Sequence, residues 1–164
     1  MRPIRMAFLL PLGAIALAAT VSGPADAAST INVSLWDKGA RADMATDLGM
    51  NMGGHDMSKA TMGVRAVPAA VKAGDVTFEV TNNSSETIHE MIVVPVRDPK
   101  DPLPYIDAEN RVDEDAAGHL GEVSELDPGK TGALRLHLAP GKYLLFCNVP
   151  GHFANGMWTE VTVQ

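Results

Sequence analysis

The chain has 164 residues, a formal net charge of −7 at pH 7 and a single cysteine. That length suits one or at most two domains with a buried core. An acidic chain is a poor ligand for nucleic acid, and a lone thiol excludes an internal disulfide framework.

The first 27 residues read as an export signal. Arg2 and Arg5 give a short positive start, residues 6–21 carry no charge, and Ala25-Asp26-Ala27 has the small-x-small form of a cleavage site. The apolar run falls short of the ~20 residues that span a bilayer, so no membrane span is expected after signal removal. Cutting 27 of 164 residues leaves 137, and losing Arg2, Arg5 and Asp26 moves the formal charge from −7 to −8. The expected location is the periplasm, an oxidising compartment where a lone cysteine points to an intermolecular bridge, a reactive thiol or a metal-held thiolate.

Residues 28–63 hold a first strand, "STINVSLWDKG", with Ile31, Val33 and Leu35 on one face, then a methionine- and glycine-rich excursion over 41–63 without strand period. That excursion is expected to be a loop or loosely ordered. Strand signals return in residues 64–164. Val76, Phe78 and Val80 alternate with Thr77, Glu79 and Thr81, and "IHEMIVVPV" is apolar enough to be buried on both faces. From Asp98 to Asp127 ten carboxylates stand in an acidic connection, expected to be mostly solvated loop with one helical turn near "EDAAGHL". "DPGK" turns the chain into "ALRLHLAPGKYLLFC", two strands divided by "APGK", on which His137 should face water. "MWTEVTVQ" closes the chain. Short strands with Gly, Pro and Asx turns predict an all-β sandwich.

The one cysteine opens "CNVPGHFANGM", which sets Cys147, His152 and Met157 five residues apart on a short loop between two strands. Thiolate, imidazole and thioether at one point are the ligands of a trigonal copper site with a weak axial sulfur. A second histidine must come from elsewhere. Of His55, His89, His119 and His137, His89 is best placed, because it opens the buried strand. Zinc is the rival metal, although it rarely recruits thioether. A cysteine nucleophile with His152 or His89 as base is a further alternative, and it leaves Met157 unexplained.

"GKYLLFCNVPGHFANGMWTEVTV" resembles the C-terminal copper loop of the cupredoxins, and "TNNSSETIHEMIVVP" their upstream histidine segment. The loop spacing is similar to that of the rusticyanin- and auracyanin-like members. The resemblance covers residues 64–164 and implies a Greek-key β-sandwich of about eight strands holding one type 1 copper. It implies His89, Cys147 and His152 as equatorial ligands, Met157 as axial ligand, and an exposed His152 edge ringed by Pro150, Phe153 and Ala154. The implied activity is single-electron transfer by a monomer, with redox protein partners such as c-type cytochromes or a terminal oxidase or reductase, and no enzymatic turnover of its own. One departure stands out: Glu90 follows His89 where many cupredoxins have asparagine to tie the two ligand loops, a task that could fall to Asn148 here.

Met44, Met50, Met52, Met57 and Met62 fall together with His55 in the excursion. Thioethers suit cuprous copper, so a weak secondary site and a copper-carrier or copper-resistance role form a second reading. The competing use is packing, since methionine fills irregular gaps. The acidic connection reads either as solvated surface or as a docking face for a basic cytochrome.

Overall fold

The computed structural model describes residues 28–39 and 41–164, and the export-signal segment 1–27 lies outside the described residues. Two sheets face each other. The first has the order β2 (Met62–Val67), β1 (Ser29–Asp37), β4 (Gly74–Asn82), β9 (Thr131–Leu138). The second runs β3 (Ala70–Val71), β11 (Trp158–Val163), β10 (Gly141–Phe146), β5 (His89–Pro95), β8 (Gly121–Leu126). Eight of these strands are six residues or longer, and a small hairpin, β6 (Tyr105–Ile106) with β7 (Arg111–Val112), stands apart.

Period-two patterning explains the facing surfaces. Ile31, Val33 and Leu35 of β1 and Val76, Phe78 and Val80 of β4 all point inward and are buried. They meet Met91 and Val93 of β5, Leu145 of β10 and Val161 and Val163 of β11 in one apolar cluster. Each large side chain so buried contributes about 1.5–3 kcal/mol. β1 lies between β2 and β4, antiparallel to the first and parallel to the second, so Ser29–Asp37 is part of the sandwich itself.

The strand β5 is buried on both faces because the acidic connection covers its far side. Ile92 and Val94 pack there with Val112, Ala117, Leu144, Phe146 and Phe153, flanked by Leu103 and Tyr105. The connection is mostly exposed, as expected, with Val112, Ala117 and Val123 its buried residues, but it is more than a loop, since it carries β6, β7, a helical turn and β8. The expected helical turn is α1 (Glu114–Ala117), capped by the Asp113 side chain on Ala116 N at 3.0 Å and ended by Gly118 at φ 73°. The unforeseen β8 pairs antiparallel with β5. Its carboxylates Glu122 and Glu125 are both exposed, so charge conceals a strand that buries little more than Val123. No helix among the described residues is long and apolar enough to cross a membrane.

Candidate metal centre

The site forms where β5 begins and β10 ends. Pairing of β5 with β8 changes register between His89 and Met91, and such an irregularity re-aims side chains. His89 is fully buried there. Its antiparallel neighbour in the sheet, β10, delivers Cys147 one residue past its end, also fully buried.

Between Cys147 and Met157 the chain curls back on itself. Cys147 N donates to Met157 O at 3.1 Å, extending the β10–β11 ladder across the ends of the loop. Within it, His152 N donates to Val149 O at 2.9 Å and Met157 N to His152 O at 3.0 Å. Gly151 and Gly156 sit at φ 82° and 92°, left-handed positions that glycine takes without strain. The spacing of five residues therefore serves a tight loop that points its side chains inward.

Three donor atoms converge. His89 Nδ1 lies 3.2 Å from His152 Nδ1, Cys147 Sγ lies 3.3 Å from His152 Nδ1 and 4.0 Å from His89 Nδ1. The two rings meet edge-on, with centroids 5.0 Å apart at 63°. Met157 is fully buried in the same cluster as Cys147. His55, His119 and His137 are exposed and stand outside this group, and His137 pairs with Asp75 at 2.9 Å.

Electrostatics favour a cation at that point. Burial pushes the Cys147 thiol up to about 12, so without a metal it keeps its proton. Burial, with His89 beside it, pushes His152 down to about 4, and burial also lowers His89 despite Asp37. Both imidazoles are thus neutral near pH 7, each offering a lone pair. Two ring nitrogens and a sulfur facing one another in an apolar enclosure repel unless a proton or a metal lies between them. A soft nitrogen and sulfur set of this kind fits copper.

Two carboxylates hold the donors from behind. Asp37 Oδ2 accepts from His89 Nε2 at 2.8 Å, with side chains 3% and 0% exposed. Sequence reasoning missed Asp37, although a signal was present: it continues the inward row of Ile31, Val33 and Leu35, and a carboxylate on a buried face needs a partner. Glu90 joins the two ligand segments. Its N–H points to Cys147 Sγ at 3.5 Å and its Oε1 accepts from Asn148 N at 3.0 Å. Burial, reinforced by Glu125 and Glu114, raises Glu90 to about 7. Asn148 performs a different tie: its side chain pairs with Val112 through both amide atoms, at 2.7 and 3.0 Å, and donates to Glu114 at 2.8 Å.

The expected exposed rim is absent. His152 is 5% exposed, and Phe153 and Ala154 are buried, leaving Pro150 alone at the surface. The reason is the methionine-rich excursion, which is not loose. Leu48 N donates to Ala154 O at 2.8 Å, Ala45 N to Asn155 Oδ1 at 2.9 Å, and Trp158 Nε1 to Leu48 O at 2.8 Å. Asn155 Nδ2 reaches Thr61 Oγ1 at 2.7 Å. A Cβ at Gly151 would stand 3.1 Å from the Met44 methyl, and one at Gly156 the same distance from the Met57 methyl. Met50 and Met52 pack in the Phe153 cluster, whereas Met62 joins the cluster of Cys147 and Met157. Met44 and Met57 are exposed, as is His55.

Comparison with known proteins agrees with this geometry. The family model of the sulfocyanin (SoxE) domain matches residues 57–164. Comparison with curated proteins returns no match. Among solved structures, dithionite-reduced auracyanin from the photosynthetic bacterium Roseiflexus castenholzii is 20% identical, with a TM-score of 0.51 over 84% of this chain and 98% of that one. Rusticyanin from Thiobacillus ferrooxidans is 15% identical, with a TM-score of 0.52 over 84% and 79%. Auracyanin B is 21% identical, with a TM-score of 0.51 over 84% and 89%. These similarities establish the fold. With more than half of its length matched by the family model, the chain belongs to the sulfocyanin (SoxE) family of cupredoxins, whose cofactor is one type 1 copper.

Proposed function

We propose that this protein is a periplasmic single-electron carrier whose copper is held by His89, Cys147 and His152 with Met157 as the weak axial ligand. The convergence of His89 Nδ1, His152 Nδ1 and Cys147 Sγ within 4.8 Å, all in buried residues, carries the reading. Bound copper supplies a one-electron couple between cupric and cuprous states. The chain's own residues supply rigidity: a strand end, a closed loop and two backing carboxylates keep the donors in place, so a change of charge demands little rearrangement. The burial of all four side chains excludes water. Four protein ligands leave no position for a substrate, which favours a carrier over an oxidase acting alone. The auracyanin and one rusticyanin among the structural neighbours are described in reduced form, in keeping with redox work. Redox proteins such as c-type cytochromes or a terminal oxidase or reductase are the partners this reading names, and the acidic chain favours those with a basic face.

The test is a visible spectrum. Purified protein given one equivalent of copper and oxidised should turn blue through charge transfer from the Cys147 thiolate. Cys147→Ser should abolish the band, because a hydroxyl is no substitute donor. A serine variant that stays blue defeats the assignment.

A further inference from the structure

The inward rows of β1 and β4 both end in a polar residue beneath the site. On β4 the row Val76, Phe78, Val80 runs into Asn82, and on β1 the row Ile31, Val33, Leu35 runs into Asp37. Asn82 is fully buried and fixes the turn that leads to His89. Its Nδ2 donates to Thr87 O and to Leu126 O, each at 2.8 Å, and its Oδ1 accepts from Ser84 N at 2.9 Å. Ser84 in turn stands beside Asp37. On its other side Asp37 Oδ1 accepts from Gly39 N at 2.7 Å. The carboxylate is thus held by a backbone donor besides the histidine, and among the described residues no lysine or arginine pairs with it.

A carboxylate fixed in this way has one chemical consequence for the ring it meets. Facing Nε2 at 2.8 Å, it requires the proton on that nitrogen, since a lone pair there would confront a negative charge. The other nitrogen, Nδ1, is then left unprotonated and aimed at His152 and Cys147. The negative charge also sits one imidazole away from the metal position, where it stabilises the higher oxidation state more than the lower.

We propose that Asp37 is a positioning residue for the copper: it fixes His89 as the tautomer that presents Nδ1 to the metal, and its charge holds the site towards the cupric form. The proposal rests on the reading of His89 as a ligand.

Copper affinities of the parent, Asp37→Asn and Asp37→Ala, measured separately for cupric and cuprous ions by chelator competition, decide it. The asparagine keeps an acceptor for Nε2–H and removes the charge. It should stay blue yet lose roughly 10- to 100-fold in cupric affinity relative to cuprous. The reduction potential should rise accordingly, by about 59 mV for each tenfold. The alanine removes the acceptor as well, so its absorption and paramagnetic resonance spectra should also change. Blue variants with the parent's potential and spectra overturn the proposal while leaving copper binding intact, whereas a parent that takes up no copper sinks the functional reading instead. Should Asp37→Ala fail to fold, nitrogen NMR of the metal-free parent reads the tautomer directly. A proton on His89 Nε2 is the expected result, and a proton on Nδ1 overturns the proposal.

Discussion

Two irregular segments meet at the end of this sandwich, and they are ordered by opposite means. The loop from Cys147 to Met157 closes on itself: its backbone bonds run Cys147 to Met157, Met157 to His152 and Asn155 to Gly151, at 3.0–3.1 Å. The excursion from Arg41 to Thr61, about twice as long, has four such bonds of its own, all local, and is tied to the loop it covers through Ala45, Leu48 and Thr61. One segment carries its own geometry and the other borrows it. Of the two, the first carries Cys147, His152 and Met157, while the second covers them.

The strongest way to break that comparison is to remove the side chains by which the excursion and the start of β2 are anchored. Met50 and Met62 are buried at 8% and 6% exposure, in the two separate apolar clusters on either side of the second sheet. Exchanging either for serine deletes buried apolar volume and adds a hydroxyl. Each should cost about 2–5 kcal/mol of stability, read by denaturant unfolding of the metal-free protein. The blue band should persist in whatever fraction stays folded. A buried pair that tolerates serine within 0.5 kcal/mol would show that the excursion does not need these anchors.

The same contrast accounts for what the sequence displays. The strands announce themselves through rows such as Val76, Phe78 and Val80, and the loop through five-residue spacing of soft ligands, because both signals are local. His89 is legible as the residue that opens a buried strand. The order of residues 41–61 is not, because its partners lie about 110 positions away, at Ala154, Asn155 and Trp158. Likewise β8 hides behind outward carboxylates, and the burial of His152 depends on a cover that no property of "CNVPGHFANGM" announces. Asp37 and Glu90 show the intermediate case. Their types and positions are visible, yet only the fold reveals that one meets His89 and the other Asn148 N.

Proton release sharpens the loop side of the comparison. At pH 8 Cys147, at about 12, still holds its proton, His152, at about 4, is neutral, and Glu90, at about 7, is largely ionised. Cupric uptake at pH 8 should then free about one proton, from the thiol, and affinity should fall tenfold, or about 1.4 kcal/mol, for each unit the pH drops. At pH 6 Glu90 is protonated in the metal-free protein, and the arriving positive charge favours its carboxylate, so the count should climb towards two. Calorimetry in buffers of different ionisation heat gives both numbers. Glu90→Gln should hold the count at about one at either pH, and a count of zero at pH 8 would mean that the thiolate is not taken up.

The smallest expected effect concerns the outermost methionines. Met44 and Met57 are 44% and 42% exposed, so replacing both with serine should change stability by no more than about 0.5 kcal/mol. Their methyl groups nonetheless lie over Gly151 and Gly156, next to the ligand loop. If the excursion is a copper-capture arm, these two exposed thioethers with His55 are the soft donors a cuprous ion would meet first, and the parent should titrate a second, weaker equivalent that the variant lacks. The packing of Met50, Met52 and Met62 against aromatic and aliphatic neighbours argues the other way, because it commits three of the five thioethers to apolar clusters rather than to a shared point. Parent and variant should therefore each bind one cuprous equivalent, measured by chelator competition, with the same blue band after oxidation. What should differ is electron exchange with a protein partner: an approach over Gly151 meets a methionine in one protein and a shorter polar side chain in the other. Unequal exchange rates at equal potential would make the excursion part of the docking face, and a second equivalent in the parent alone would restore the carrier reading.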